Sequence, residues 1–209
     1  MSKITKDPLN LIITGVGGQG NILASQITAT AGISQKLFAS IGETYGASQR
    51  GGSVMSHVRF SREFQYGPLI PEGEADVILG FEPLETLRVL VDFGNENTHV
   101  IFNDRPNYPI GVLSGQQKYP ELAFILGKIK ELAASAKVVK ATDLAQELGT
   151  LVAQNVVMVG ALAASNYLPI PEPAFAQTLA EIFEDEKKRD FNLRSFRLGV
   201  RGYQEGQSL

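Results

Sequence analysis

Residues 9–26, LNLIITGVGGQGNILASQ, narrow the possible folds more than any other stretch of the chain. The nearly continuous aliphatic run at 9–14 suits a strand buried on both faces. Small residues follow, and then Ile22, Leu23, Ile27 and Ala31 recur at helical spacing over 21–33. Strand, glycine-rich turn, helix is the opening of an α/β unit, and Gly15, Gly17 and Gly20 fall on G-x-G-x-x-G. Glycines here permit a tight turn, let backbone N–H groups approach an anion and let the helix sit close to the strand. The helix N-terminus adds partial positive charge and free donors. Gly18 makes the loop GVGGQG, leaving successive backbone units free to turn donors inward. Alone, the pattern serves either a phosphate-bearing ligand or a purely structural turn. A dinucleotide site also wants an acid about 20 residues on, at the end of the second strand. Glu43 sits near that place, where it also reads as a loop carboxylate or a helix cap.

Further strands are expected at 37–41, 53–60, 77–81, 98–103 and 136–141, with helices at 83–90 and 121–134 between them. The strand at 53–60 places Ser53, Met55, His57 and Arg59 on one face. From 142 onward the pattern turns helical, over about 143–148, 150–166, 173–187 and 190–203. The expected architecture is a single α/β domain over 1–209: a Rossmann-like, largely parallel sheet with helices on both faces and a helical C-terminal subregion, about 142–209. That subregion is expected to cover one face of the sheet or to form an interface.

A second glycine-rich loop, ASQRGGS at 47–53, brings a fixed cation, Arg50, together with Ser48, Gln49, Gly51 and Gly52. A guanidinium beside exposed backbone N–H groups is suited to gripping phosphate or carboxylate, although a plain surface ion pair is the simpler reading of Arg50. In open α/β sheets ligands collect beyond the carboxyl ends of the strands. Gly15 to Gly20, Glu82 and Asn103–Asp104 all follow expected strands and could line one crevice. Glu82, just before Pro83, reads equally as an exposed acid at a helix start.

Composition removes whole classes of chemistry. The chain has 209 residues, no cysteine and 2 histidines, so thiolate nucleophiles, Cys-ligated zinc, cysteine-held clusters and all-histidine metal sites are not expected, and no residue is expected to ligate a metal. A net charge of -3 gives no basic field for nucleic acid. The opening MSKITKDPLN reads as no secretory leader, and the most apolar stretch, 156–164, is far short of the roughly 20 residues of a bilayer span. A cytoplasmic protein bound to no membrane is expected. G-x-x-x-x-G-K-[ST], G-x-S-x-G and H-E-x-x-H are absent. His57 reads as a strand residue hydrogen-bonded to a neighbour, Asn155 as a buried amide satisfying nearby backbone, and EDEKKR at 184–189 as a solvated helical face. No catalytic residue can be nominated.

Three segments together resemble a known family: GVGGQG, ETYGASQRGGSVMSHVR at 43–59 and PLIPEGEADVILGFEPLETLR at 68–88. They are similar to the gamma-type subunits or domains of 2-oxoacid:ferredoxin oxidoreductases. The SQRGGSV-x-SHVR wording is nearest to the small (beta) subunits of the indolepyruvate branch. AQNVVMVGALAA at 153–164 and FNLRSFRLG at 191–199 extend the likeness to the C-terminal part.

The resemblance implies a shared reaction: CoA-dependent oxidative decarboxylation of a 2-oxoacid, here an arylpyruvate, to acyl-CoA and CO2, with electrons passed to ferredoxin. It also implies that a large partner subunit carries thiamine diphosphate, Mg2+ and the iron–sulfur clusters, in a hetero-oligomer. This chain would be non-catalytic alone. It would help to hold coenzyme A through Gly15, Gly17, Gly18, Gln19, Gly20, Ser48, Gln49, Arg50, Gly51 and Gly52. A stand-alone NAD-type oxidoreductase and a non-enzymatic scaffold are the competing readings.

Overall fold

The computed structural model describes residues 6–45, 51–108 and 110–209. The chain runs β1 (Leu9–Val16), α1 (Asn21–Ser34), β2 (Phe38–Tyr45), β3 (Ser53–Ser61), β4 (Val77–Gly80), α2 (Pro83–Phe93), β5 (His99–Asn103), α3 (Ile110–Leu113), α4 (Leu122–Leu132), β6 (Ser135–Val139), α5 (Ala141–Glu147), α6 (Gln154–Ala164), α7 (Glu172–Ile182), α8 (Glu186–Glu205) and β7 (Gln207–Ser208). The strands form a 7-stranded sheet of order β2-β3-β1-β4-β5-β6-β7. Its centre is the expected parallel unit: β1 pairs with β4, β4 with β5 and β5 with β6, all parallel.

The edges depart from an all-parallel sheet. After α1 the chain enters β2, which pairs antiparallel with β3, and β3 returns antiparallel against β1. The strand β3 is thus inserted where a dinucleotide fold would place its second parallel strand. β2 also runs past the expected end at 41, because Gly42 and Glu43 remain in register with His57 and Ser56. A Cβ at Gly42 would lie 3.1 Å from the Pro68 side chain, so glycine marks where the 68–70 strap crosses the strand rather than the start of a loop.

Alternation along the strands fills two cores. Leu11, Ile13, Val58, Phe60, Leu79, Ile101 and Val139 pack with residues of α1, α6, α7 and α8. Ile12, Ile78, Val100, Phe102, Ala136 and Val138 pack with residues of α2 and α4 on the other face. The C-terminal helices therefore cover one face of the sheet. α6 is buried along nearly its whole length, which explains why its sequence is apolar all round. It crosses α8 at glycines: a Cβ on Gly160 would meet Phe196 O, and one on Gly199 would meet Val157 O. In 184–189, residues 184–188 are exposed, and Asp185 caps α8 by accepting the Lys188 N–H at 2.9 Å.

Candidate functional site

The carboxyl ends of β1 and β5 open onto a crevice of about 490 Å³. Its floor is Gly17, Gly18, Gln19 and Gly20; Arg105, Pro106 and Asn107 form one wall, and Thr142, Gln154 and Asn155 line the opposite side. The volume falls within the range of small-molecule sites. A larger depression, about 860 Å³, lies at the amino ends of β4 and β5, but its Lys6 is already paired with Glu74 and Asp76 at 3.1 and 2.8 Å.

The glycine loop on the crevice floor leads directly into α1. Its first intrahelical bond is Ala24 N–H to Gly20 O at 3.1 Å, so the N–H groups of Asn21, Ile22 and Leu23 have no acceptor within the helix. No side chain caps this end and no acid stands in the first turn. Gly20, the N-cap, has φ 87°, and a Cβ there would stand 2.4 Å from Asn155 Nδ2. Conformation and space both demand glycine at that point. An open helix N-terminus of this kind suits an anion.

Not every glycine-loop donor is free. Gly17 N–H donates to Gly52 O at 2.8 Å, and Gly51 N–H donates to Gly17 O at 3.2 Å. The β1–β3 pairing thus continues past the strand ends, joining the two glycine loops by backbone. Gln19 is also committed: its Oε1 accepts the Val16 N–H at 2.7 Å and its Nε2 donates to Phe81 O at 3.1 Å. Gln154 Nε2 and Asn103 Nδ2 donate to the same carbonyl, at 3.1 and 3.3 Å. Asn103 Oδ1 in turn accepts the Thr142 N–H at 3.2 Å. These amides tie the glycine loop, the ends of β4 and β5 and the starts of α5 and α6 into one frame.

Among the candidate ligand residues, Gly17, Gly18, Gln19 and Gly20 line the crevice, whereas Gly15 is buried behind it. Gly51 and Gly52 abut Gly17 through the backbone. Ser48, Gln49 and Arg50 lie outside the described residues. Glu43 is neither a loop carboxylate nor a helix cap. It accepts hydrogen bonds from Ser25 Oγ (3.0 Å) and Ser56 Oγ (2.5 Å), holding α1 against the hairpin.

Glu82 is not exposed and does not line the crevice. It is fully buried (0%) and caps α2, with Oε2 accepting the Glu85 N–H at 2.8 Å. Oε1 accepts the Tyr119 hydroxyl at 2.5 Å. Burial raises the Glu82 carboxyl pKa, opposed by these donors and by the Asn107 N–H. The Tyr119 phenol is raised by its own burial and by the Glu82 carboxylate. Asn103 is an internal bridge, and Asp104 faces a different depression beside Lys140 and Asp143.

His57 takes the structural role expected of it: Nδ1 accepts the Ile70 N–H at 3.2 Å and the ring meets Phe93 edge-on. Burial, and then the Arg59 charge, lower its pKa. Asn155 Oδ1 accepts the Val156 N–H at 2.8 Å, as a buried amide should, and the residue also lines the crevice.

Arg105, Asn107 and Gln154 went unrecognised in the sequence. The available signal was positional, because Arg105 stands just past the carboxyl end of a parallel strand. Its contact with Asp143 is 3.9 Å long between largely exposed side chains, which leaves the guanidinium able to turn toward the crevice.

Among the described residues there is no group of three or more His, Asp or Glu side chains placed to hold a metal, and no helix long and apolar enough to cross a membrane. Without cysteine, the chain offers no ligand set for an iron–sulfur cluster.

Comparison with known proteins gives concordant results. The sequence profile of the family "Pyruvate ferredoxin/flavodoxin oxidoreductase" matches residues 10–202. "Indolepyruvate oxidoreductase subunit IorB" of Archaeoglobus fulgidus is 39% identical over 191 residues, 91% of this chain and 93% of the relative. The protein of that name from Thermococcus kodakarensis is 38% identical over 197 residues, 94% of this chain and 96% of its own. The fold is similar to pyruvate oxidoreductase subunit PORC of Thermotoga maritima, with a TM-score of 0.68 at 22% identity, covering 97% of this chain and 99% of that one. It is also similar to part of 2-oxoglutarate:ferredoxin oxidoreductase from Magnetococcus marinus, solved with 2-oxoglutarate, coenzyme A and succinyl-CoA bound. There the TM-score is 0.74 at 24% identity, covering 96% of this chain and 32% of that chain.

Proposed function

The chain belongs to the pyruvate ferredoxin/flavodoxin oxidoreductase family and is a subunit of a 2-oxoacid:ferredoxin oxidoreductase, and from that premise we propose that it helps to hold coenzyme A for an arylpyruvate-oxidising complex. The substrate of that complex is indolepyruvate or a related arylpyruvate, a reading supported by the name of the relatives at 38 and 39% identity. Carbon dioxide leaves the 2-oxoacid, the acyl carbon passes to the coenzyme A thiol, and two electrons pass to ferredoxin. Thiamine diphosphate, Mg2+ and the iron–sulfur clusters belong to a large partner subunit, since this chain has no cysteine to ligate a cluster. The chain is not catalytic by itself.

The observation that carries this reading is the crevice, where the glycine loop that leads into α1 and the Arg105 side chain line one cavity. A diphosphate at this point would take backbone donors from one side and a guanidinium from the other. Gly17, Gly18, Gln19 and Gly20 build that floor with Gly15 behind it, and Gly51 and Gly52 abut it through the Gly17 backbone; Ser48, Gln49 and Arg50 are kept in the proposal as ligand residues on the sequence resemblance alone. Tyr108, Ile110, Leu113, Leu151 and Val152 are exposed on the segments bordering the crevice, and they suit contact with the partner subunit. An independent NAD enzyme is disfavoured by topology: β3 separates β1 from β2, so Glu43 is far from the place of a ribose-binding acid.

The test is Arg105→Ala in the enzyme assembled with its large subunit. Loss of a charge-assisted hydrogen bond, about 1.5–3 kcal/mol, is expected to raise KM for coenzyme A roughly tenfold or more, with little change in KM for the 2-oxoacid. An unchanged coenzyme A response would remove the crevice from the reaction. Decarboxylation by the isolated chain with NAD would favour the independent enzyme instead.

A further inference from the structure

Capping α2 needs one acceptor, which Ser, Thr or Asn supplies with no charge to bury. Glu82 has a second oxygen in a fully buried position, and a buried carboxylate oxygen needs a partner. It finds one in the Tyr119 hydroxyl. Tyr119 closes the 104–119 segment, which carries Arg105 to the crevice wall. That segment has few other holds. α3 buries no residue, and Tyr108, Ile110 and Leu113 are exposed. Its remaining ties include Ile110 N–H to Gly51 O at 2.8 Å and Arg88 Nη2 to Gln117 Oε1 at 3.4 Å, the second near the limit of a hydrogen bond.

We propose that Glu82 is a positioning residue: through Tyr119 it holds the 104–119 segment so that Arg105 and Asn107 stay on the crevice wall. The arrangement is economical because the same carboxylate fixes α2 and the wall. The Tyr108 ring lies edge-on to Tyr119 at 5.0 Å, extending the hold along the segment. This role rests on the reading of the crevice as a coenzyme A site, and the experiment separates the two.

Tyr119→Phe is the informative variant, since it deletes one hydroxyl and keeps the ring. In the assembled enzyme it is expected to raise KM for coenzyme A by about fivefold, with kcat and KM for the 2-oxoacid changed less than about twofold. Amide hydrogen exchange across 104–119 in the same complex should quicken, while exchange in α6 stays as in the parent. Glu82→Gln keeps an acceptor for the Glu85 N–H and a donor for Tyr119, and should lie closer to the parent than Tyr119→Phe. Combining Tyr119→Phe with Arg105→Ala should add little to Arg105→Ala alone, because the hydroxyl acts through that arginine. If Arg105→Ala raises KM for coenzyme A while Tyr119→Phe alters neither that KM nor exchange in 104–119, the positioning role is wrong and the site stands. If Arg105→Ala itself is silent, the site reading fails. Additive losses in the double variant, or a uniform fall in kcat with both KM values unmoved, would also overturn the role.

Discussion

Gly199→Ala tests the close crossing of α6 and α8. Alanine is ordinarily the better helix former, by about 0.8–1.0 kcal/mol in a helix interior. At Gly199, however, the added Cβ would lie 1.8 Å from Val157 O, 2.7 Å from Val157 C and 3.0 Å from Ala161 N. All of these are backbone atoms of α6, so no rotamer change relieves the contact. The facing site is as close, with a Cβ on Gly160 2.1 Å from Phe196 O. The helices must move apart by more than an ångström, in the order-of-magnitude sense of a Cβ restored to ordinary contact at about 3.5 Å. Overpacking of this kind costs about 1–3 kcal/mol and sometimes more, so at the upper end the net loss after the propensity gain is roughly 2 kcal/mol. For a chain of this size that corresponds to a fall in Tm of about 4–8 °C. Gly127→Ala is the control: Gly127 lies within α4 with nothing within 4 Å of its added Cβ, and the same substitution there should stabilise by up to about 1 kcal/mol. Urea denaturation of both variants beside the parent gives the comparison. Should Gly199→Ala match or exceed the parent in stability, the α6–α8 crossing is looser than described and the argument from close approach fails.

Two further outcomes follow from the site and the core. Gly20→Ala forces a side chain into positive φ and against Asn155; it should destabilise by about 1–3 kcal/mol and weaken coenzyme A saturation in the assembled enzyme, and an unchanged saturation curve would count against the α1 floor. Burial lowers the His57 pKa below the ordinary 6.5, so the unfolded chain binds the proton more readily; the His57 contribution to stability is complete above about pH 6.5 and is lost as pH falls through the folded value. Glu82 titrates with the opposite sign: its raised pKa gives a contribution complete below about pH 4.5 and lost as pH rises through the folded value. The parent-minus-His57→Gln difference in unfolding free energy, measured from pH 8 down to about pH 5, should therefore shrink with acid; a flat difference would mean that His57 is not held neutral.

The central parallel strands and the C-terminal helices were legible because each buries a continuous apolar surface: 9–14 and 98–103 read as strands, and about 150–166 read as a helix. The path of 37–61 was not legible. Periodicity identifies a strand but not its neighbour, and nothing in Phe38 to Tyr45 states that β3 will intervene between it and β1. The site divided in the same way. GVGGQG announced itself through spacing, whereas Arg105 gave no signal apart from its position after β5, and Glu82 looked like a surface acid because Pro83 follows it. Its hydroxyl partner is Tyr119, 37 residues away in the chain. Local sequence carries no trace of such a contact.

That intervening strand also decides what the glycine fingerprint can do. In a dinucleotide fold the acid at the end of the second strand lies beside the glycine loop, since the strands are neighbours. Here β3 occupies that place, and its leading residues Gly51 and Gly52 pair with Gly17. The side of the loop that would face a ribose is closed by backbone. The open side shares its cavity with Arg105, Asn107 and Gln154, and the Gly17 N–H is not among its free donors. A phosphate can still be bound there, but a ribose diol would meet no carboxylate from β2, because Glu43 is occupied by Ser25 and Ser56. Under the proposed function the same six residues therefore serve a different ligand geometry once one antiparallel strand is inserted, with recognition passing to the wall that Glu82 and Tyr119 are proposed to hold.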